Sequence, residues 1–171
     1  MEVKLKVNNV EVVLGIETIN DIVYNLPNDE EYYDLLHQLA LSNISSIREK
    51  IADKDCLSKE TVEFLLKDKN ATVLANIVRS DCAKEYISDK DIDYIMSVES
   101  EEVIENIISY IDGYENINQT ETIDKIMKLE NDYLMLKLAN SWDTPKKTLK
   151  KLAKHKDPDI SKSAKKTLDD C

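Results

Sequence analysis

LKKLAKHKDPDISKSA, residues Leu149–Ala164, holds two helical faces and the break between them. Leu149, Leu152 and Ala153 stand at i, i+3 and i+4, which puts them on one side of an α-helix. The polar run KHKD follows. Pro158 cannot sit inside a helix without removing a hydrogen bond, so the first helix ends before it. Ile160 and Ala164, four residues apart, open a second face.

The same skeleton occurs five times, at Leu36-Leu39-Ala40, Val62-Leu65-Leu66, Ile92-Ile95-Met96, Ile123-Ile126-Met127 and Leu149-Leu152-Ala153. Eleven residues past the first apolar position stands Ile47, Val73, Val103, Leu134 or Ile160. Four residues further stands Ile51, Ile77, Ile107, Leu138 or Ala164. The offset of eleven is constant, whereas the return offset is 15, 19, 20 and 15 residues. The chain therefore reads as helix pairs. A short constant turn joins the second helix of one unit to the first helix of the next, and a variable loop lies inside each unit. Unit lengths are 26, 30, 31 and 26 residues. Short connections require antiparallel neighbours. Periods of this size belong to solenoids, in which each unit buries its apolar face against the next.

Helix-start signals fall where this register needs them. Ser58 and Ser88 precede second helices, and Ser88 with Asp91 has the spacing of a capping box. Thr120 and Thr144 are expected in the equivalent place, with Pro145 suited to a first helical turn. The ends differ from the middle. KLKVNNVEVVL, Lys4–Leu14, alternates Leu5/Val7 and Val10/Val12/Leu14 around Asn8-Asn9, the pattern of a β-hairpin whose turn needs positive φ. An irregular helical pair is expected over 17–25 and 29–42, broken at Pro27. The expected fold class is mainly all-α: a short right-handed α-solenoid of antiparallel helix pairs with a small N-terminal β-hairpin cap. Residues 1–16 are assigned to the cap and 17–171 to one continuous array of about five units.

DKDCLSKETVEFLLKDKNATVLANI, residues 53–77, and NSWDTPKKTLKKLAKHKDPDISKSA, residues 140–164, resemble bacterial HEAT-like repeats, and within them the leucine-rich repeat variant type. The resemblance runs from about Asp29 to Asp169 and is one of architecture. Such repeats host many functions, so it implies binding rather than chemistry. Some relatives carry an iron–sulfur cluster in a separate cysteine-rich segment. This chain has no such segment, and no cofactor or metal is expected.

Composition narrows the field further. Two glycines and three prolines in 171 residues are too few breakers for a turn-dense β fold. No apolar run approaches the ~18 residues of a membrane span. MEVKLKVNNVEVV lacks the basic start and unbroken apolar run of a secretory signal. The expected location is the cytoplasm, with no membrane partner. Cys56, Cys82 and Cys171 are widely spaced and form no metal or redox motif, so they read as free thiols. The formal charge is −11, but residues 143–171 carry nine Lys against five Asp, which leaves −15 on residues 1–142. An acidic body of this kind opposes nucleic-acid binding and suits a basic protein partner.

Catalytic patterns are missing. The two histidines, His37 and His155, are far apart in sequence, and there is no H-E-x-x-H, Gly-rich phosphate loop or G-x-S-x-G. Trp142-Asp143 invites comparison with HEAT-like DNA glycosylases, which use Trp and Asp in a basic cleft. Trp142 is instead expected to pack near the last turn, with Asp143 or Thr144 capping the next helix. The repeat register offers a better candidate. One residue past the first apolar position of each second helix come His37, Glu63, Asp93, Asp124 and Lys150, and then Gln38, Phe64, Tyr94, Lys125 and Lys151. Stacked second helices, roughly 10 Å apart, would align Glu63, Asp93 and Asp124 beside Phe64 and Tyr94 on a concave face. Lys146, Lys147, Lys150, Lys151 and Lys154 form an opposite pole open to an anionic partner. The expectation is a non-enzymatic protein-binding scaffold with a basic partner. The alternatives are an acidic immunity or antitoxin-type inhibitor of a basic nuclease, and a HEAT-like nucleic-acid repair protein.

Overall fold

In three of the five repeats the offset of eleven has a local cause, visible in the computed structural model, which describes residues 3–170. Eight residues past Val62, Ile123 and Leu149 stand Asn70, Asn131 and Asp157, each at a helix start. Asn70 Oδ1 accepts the Val73 N–H at 3.1 Å, Asn131 Oδ1 the Leu134 N–H at 3.1 Å, and Asp157 Oδ1 the Ile160 N–H at 3.3 Å. A capping oxygen reaches the third N–H of its helix. The cap therefore fixes the first core residue three positions on, eleven from the reference residue.

The chain runs β1 (Lys4–Val7), β2 (Val10–Val13), α1 (Ile16–Asn25), α2 (Tyr33–Ala40), α3 (Ser45–Ala52), α4 (Lys59–Leu65), α5 (Ala71–Arg79), α6 (Asp89–Met96), α7 (Glu101–Tyr110), α8 (Gln119–Met127), α9 (Asp132–Asn140), α10 (Lys146–Leu152) and α11 (Pro158–Asp170). The protein is mainly all-α with a β-hairpin at its N-terminal side. The even-numbered helices from α2 to α10 are the second helices of the sequence pattern, and the odd-numbered ones from α3 to α11 are the first helices. Turns between units are uniformly short, at 41–44, 66–70, 97–100, 128–131 and 153–157. Loops inside units vary, and the two longest, 80–88 and 111–118, each begin with or contain a 3-10 turn. Every patterned position on the first helices is buried. So are those on the second helices, except Met96, Met127 and Ala153, which are half-buried.

Contacts gather the chain into two compact units, one ending at Tyr86 and one beginning at Ile87. In the first, α3 packs between α1 and α5, and α2 packs on α4. In the second, α9 packs between α7 and α11, and α10 lies against both α9 and α11.

Ser58 caps α4 through the Thr61 N–H, and Asp91 accepts both the N–H and the hydroxyl of Ser88, at 3.0 and 2.6 Å. Two expected caps are corrected. Thr120 lies inside α8, whose cap is Asn118, accepting the Glu121 N–H at 3.2 Å. The Asn118 N–H in turn donates to Asp89 at 2.8 Å, which anchors this loop to the start of α6 and begins α8 early. Pro145 occupies the cap position of α10, and Thr144 is buried with a hydroxyl that has no partner among the described residues.

The hairpin pairs Leu5 with Val12 and Lys6 with Glu11, turning at Asn8 with φ 55°. Its side chains gain little burial: Leu5, Val10, Val12 and Val13 all remain exposed. A cavity of about 180 Å³ lies where Val3, Leu5 and Leu14 meet Ile19 and Ile22 of α1 and Leu39 of α2. Among the described residues, no helix is long and apolar enough to cross a membrane. Cys171 lies outside the described residues.

Candidate functional site

Within each compact unit the second helices meet by a simple rule. The residue after the reference apolar position on one helix faces the residue two after it on the next. In the first unit His37 of α2 meets Phe64 of α4 edge-on, with ring centroids 6.5 Å apart. In the second unit Asp93 of α6 meets Lys125 of α8 at 2.7 Å, and Asp124 of α8 meets Lys151 of α10 at 3.8 Å. Buried reference residues lock the register, so the outward residues are staggered by one position.

This stagger changes the character of the expected acidic column. Asp93 and Asp124 are each answered by a lysine from the following helix. Lys125 also reaches Glu121 at 3.1 Å, and these two carboxylates, Asp93 foremost, hold its ammonium pKa above the ordinary lysine value. Glu63 has Lys59 one turn earlier at 3.7 Å. In the second unit the face is a mixed-charge ladder. Tyr94 is half-buried beside Asp93, while Phe64 is 40% exposed.

Phe64 also lines a groove of about 380 Å³ in the first unit, with Ser42, Arg48, Lys67, Asp68 and Lys69. Arg48 and Asp68 form one wall, both largely buried. Asp68 lies in the turn after α4, and its Oδ1 accepts from Arg48 Nη2 at 3.0 Å and from the Asn70 N–H at 2.8 Å. Sequence reading passed over Arg48, although it is the one arginine that directly follows a patterned core residue. His37 serves packing: its Nδ1 is 3.1 Å from the Thr61 hydroxyl and its Nε2 3.5 Å from Glu60.

Lys146, Lys147, Lys150, Lys151 and Lys154 are all exposed on or just after α10, and Lys151 is the one that reaches Asp124. Trp142 does not pack near the last turn as expected but is 63% exposed in the loop before α10. The short 141–145 loop holds Thr144 inward instead, which leaves the indole outside. Burial, then the nearby Asp112 charge, raises the Asp143 carboxyl above its ordinary value. Among the described residues, no three His, Cys, Asp or Glu side chains converge to hold a metal ion.

No family model, curated protein or solved structure matches this chain.

Proposed function

We propose that the protein is a non-enzymatic binding module that holds a basic protein partner against its second helices. The observation that carries this reading is Phe64. It is a large aromatic exposed beside a groove, on a helix face otherwise built from charged residues. Aromatic side chains set in a polar rim are the usual anchors of protein interfaces. Glu63 would meet a cation of the partner, and Asp93, Tyr94 and Asp124 supply the equivalent positions in the second unit. The charge of −15 over residues 1–142 favours a basic partner by steering. The same charge supports a second reading, an acidic inhibitor of the immunity or antitoxin type that covers a basic nuclease.

The test is capture from a lysate of the native host with the immobilised chain, followed by identification of the bound proteins. A protein held by the wild type and lost by Phe64→Ala and by Glu63→Lys, both folded by thermal melting, supports the reading. A basic nuclease among them favours the inhibitor. Capture indifferent to every second-helix substitution would overturn the placement of the interface.

A further inference from the structure

Two loops of the first unit bring a pair of thiols together. Cys56 lies in the loop 53–58 between α3 and α4, and Cys82 in the loop 80–88 between α5 and α6. The sulfur of Cys82 sits on the backbone that surrounds Cys56. It approaches the Lys54 carbonyl at 3.8 Å on one side and accepts the Leu57 N–H on the other. Ser80 ties the same two loops together, donating to the Lys54 carbonyl at 3.2 Å while its oxygen lies 3.1 Å from Cys82 Sγ. Held by residues 54 and 57, the Cys82 sulfur lies near enough to Cys56 for the two thiols to interact electrostatically. Neither thiol is bonded to the other, and both are part-buried rather than sealed.

The two sulfurs have different surroundings. Cys56 Sγ lies 3.3 Å from the Tyr33 hydroxyl. The hydrogen bond to Cys56, helped by burial, pushes the Tyr33 pKa up to about 12, so the phenol keeps its proton and can donate it to the Cys56 sulfur. Burial pushes the Cys82 thiol up, against a smaller opposing effect of Ser80. A thiol reacts through its thiolate, and burial disfavours that form at Cys82.

We infer that Cys56 and Cys82 form an oxidation site for peroxides, with Cys56 attacking and Cys82 resolving, that staples the α3–α4 loop to the α5–α6 loop. The Cys56 thiolate attacks one oxygen of hydrogen peroxide. The O–O bond breaks, the leaving hydroxide takes up a proton as water, and Cys56 becomes a sulfenic acid. Cys82, giving up its proton, then attacks the Cys56 sulfur, the S–O bond breaks and a second water leaves. Two thiols lose two electrons and two protons, and one peroxide becomes two waters. The disulfide replaces the Tyr33 and Ser80 contacts with a covalent link between consecutive helix pairs. It closes a long loop of chain, which disfavours the unfolded state.

The experiment uses the full chain carrying Cys171→Ser, so that only this pair can react. Trypsin cuts after Lys54, Lys59, Arg79 and Lys84, which places Cys56 and Cys82 on separate short peptides. After hydrogen peroxide and alkylation, the expected product is those two peptides joined within one chain. The melting temperature should rise and return to its starting value with dithiothreitol. With Cys82→Ser added, dimedone should label Cys56; with Cys56→Ser added, Cys82 should remain alkylatable. Recovery of both peptides alkylated after excess peroxide, or a cross-link only between two chains on a non-reducing gel, would overturn the assignment. Dimedone labelling of Cys82 in place of Cys56 would also overturn it, by reversing the roles.

Discussion

Arg48 holds Asp68 with two guanidinium nitrogens while its third donates to the Ser42 carbonyl at 2.9 Å. One side chain of α3 thus ties the turn before it to the turn after α4. Burial acts to raise the Asp68 carboxyl, but Arg48 and the Asn70 and Lys69 N–H groups outweigh it, so the carboxyl sits below its ordinary value.

Removing Arg48 leaves a buried carboxylate without its counter-charge. Arg48→Ala should destabilise the chain by about 3 kcal/mol. A carboxyl whose folded pKa is depressed stabilises fully above its unfolded value, ~3.9 for Asp, and loses that contribution as pH falls through the folded value. Asp68→Asn should therefore lose stability at neutral pH and decline less steeply than wild type below pH ~5. Urea unfolding across that range measures both. Parallel stability curves for the two proteins would show that Asp68 is not the acid-sensitive group.

The register makes a prediction about the core. Leu65, Ile95, Ile126 and Leu152 occupy the same position on α4, α6, α8 and α10, and each is at most 1% exposed. Truncation to Ala should cost ~2–5 kcal/mol at each, with the spread set by how far neighbours collapse into the gap. Losses below ~0.5 kcal/mol at all four, measured by denaturant titration, would contradict the packing.

The core and the helix order were legible because both rest on local, periodic chemistry. Apolar spacing of three and four marks the faces, and Asn70, Asn131 and Asp157 set the turns through caps that span only four residues. The hairpin was legible for the same reason, from its alternation and the Asn8-Asn9 turn. The burial of its side chains was not, because that depends on what α1 and α2 leave uncovered. Thr120 and Thr144 misled because a cap is chosen by where the preceding loop is anchored, and Asp89 anchors Asn118 from far away in sequence. The candidate site was half legible. Phe64 and the acids were found by register, and Lys125 and Lys151 were visible in the next column. Their pairing with Asp93 and Asp124 needed the one-position stagger between helices, which sequence does not contain. The meeting of Arg48 with Asp68, and of Cys82 with the backbone around Cys56, joins segments that share no pattern.

Two turns between units carry strain that a substitution can relieve. Glu99 and Glu130 hold the same place, seven past Ile92 and Ile123, with φ of 56° and 52°. A side chain with a Cβ is disfavoured in this left-handed region, and glycine is not. Glu99→Gly and Glu130→Gly should each stabilise by about 0.5–1 kcal/mol, the relief of strain exceeding the added freedom of the unfolded chain. Lys69, at the equivalent position after Val62, has no positive φ, so Lys69→Gly should destabilise instead. Thermal melts of the three variants decide it; stabilisation by all three would point to a cause other than backbone conformation.

The ladder of Asp93–Lys125 and Asp124–Lys151 makes the last prediction, because it sets how much negative charge a partner meets. Lys125 is only a quarter exposed, whereas Asp93, Asp124 and Lys151 are about half exposed or more. Exposed pairs of this kind contribute little to stability, so Lys125→Ala with Lys151→Ala should melt close to wild type. Their effect on association should be larger. Removing the two lysines uncovers both carboxylates, and a basic partner captured by the wild type should then associate faster at low salt. The triple variant Glu63→Lys, Asp93→Lys, Asp124→Lys should associate more slowly. Both differences should shrink as salt is raised toward ~1 M, where the screening length falls to about 3 Å. Dissociation rates should move less than association rates, since long-range steering by exposed charges acts before contact. Surface-plasmon kinetics at two salt concentrations separates the cases. Equal association rates for all three proteins at low salt would show that the ladder only orders the helices and that the partner docks elsewhere. A change confined to dissociation would place the charges inside the interface, in direct contact with the bound partner.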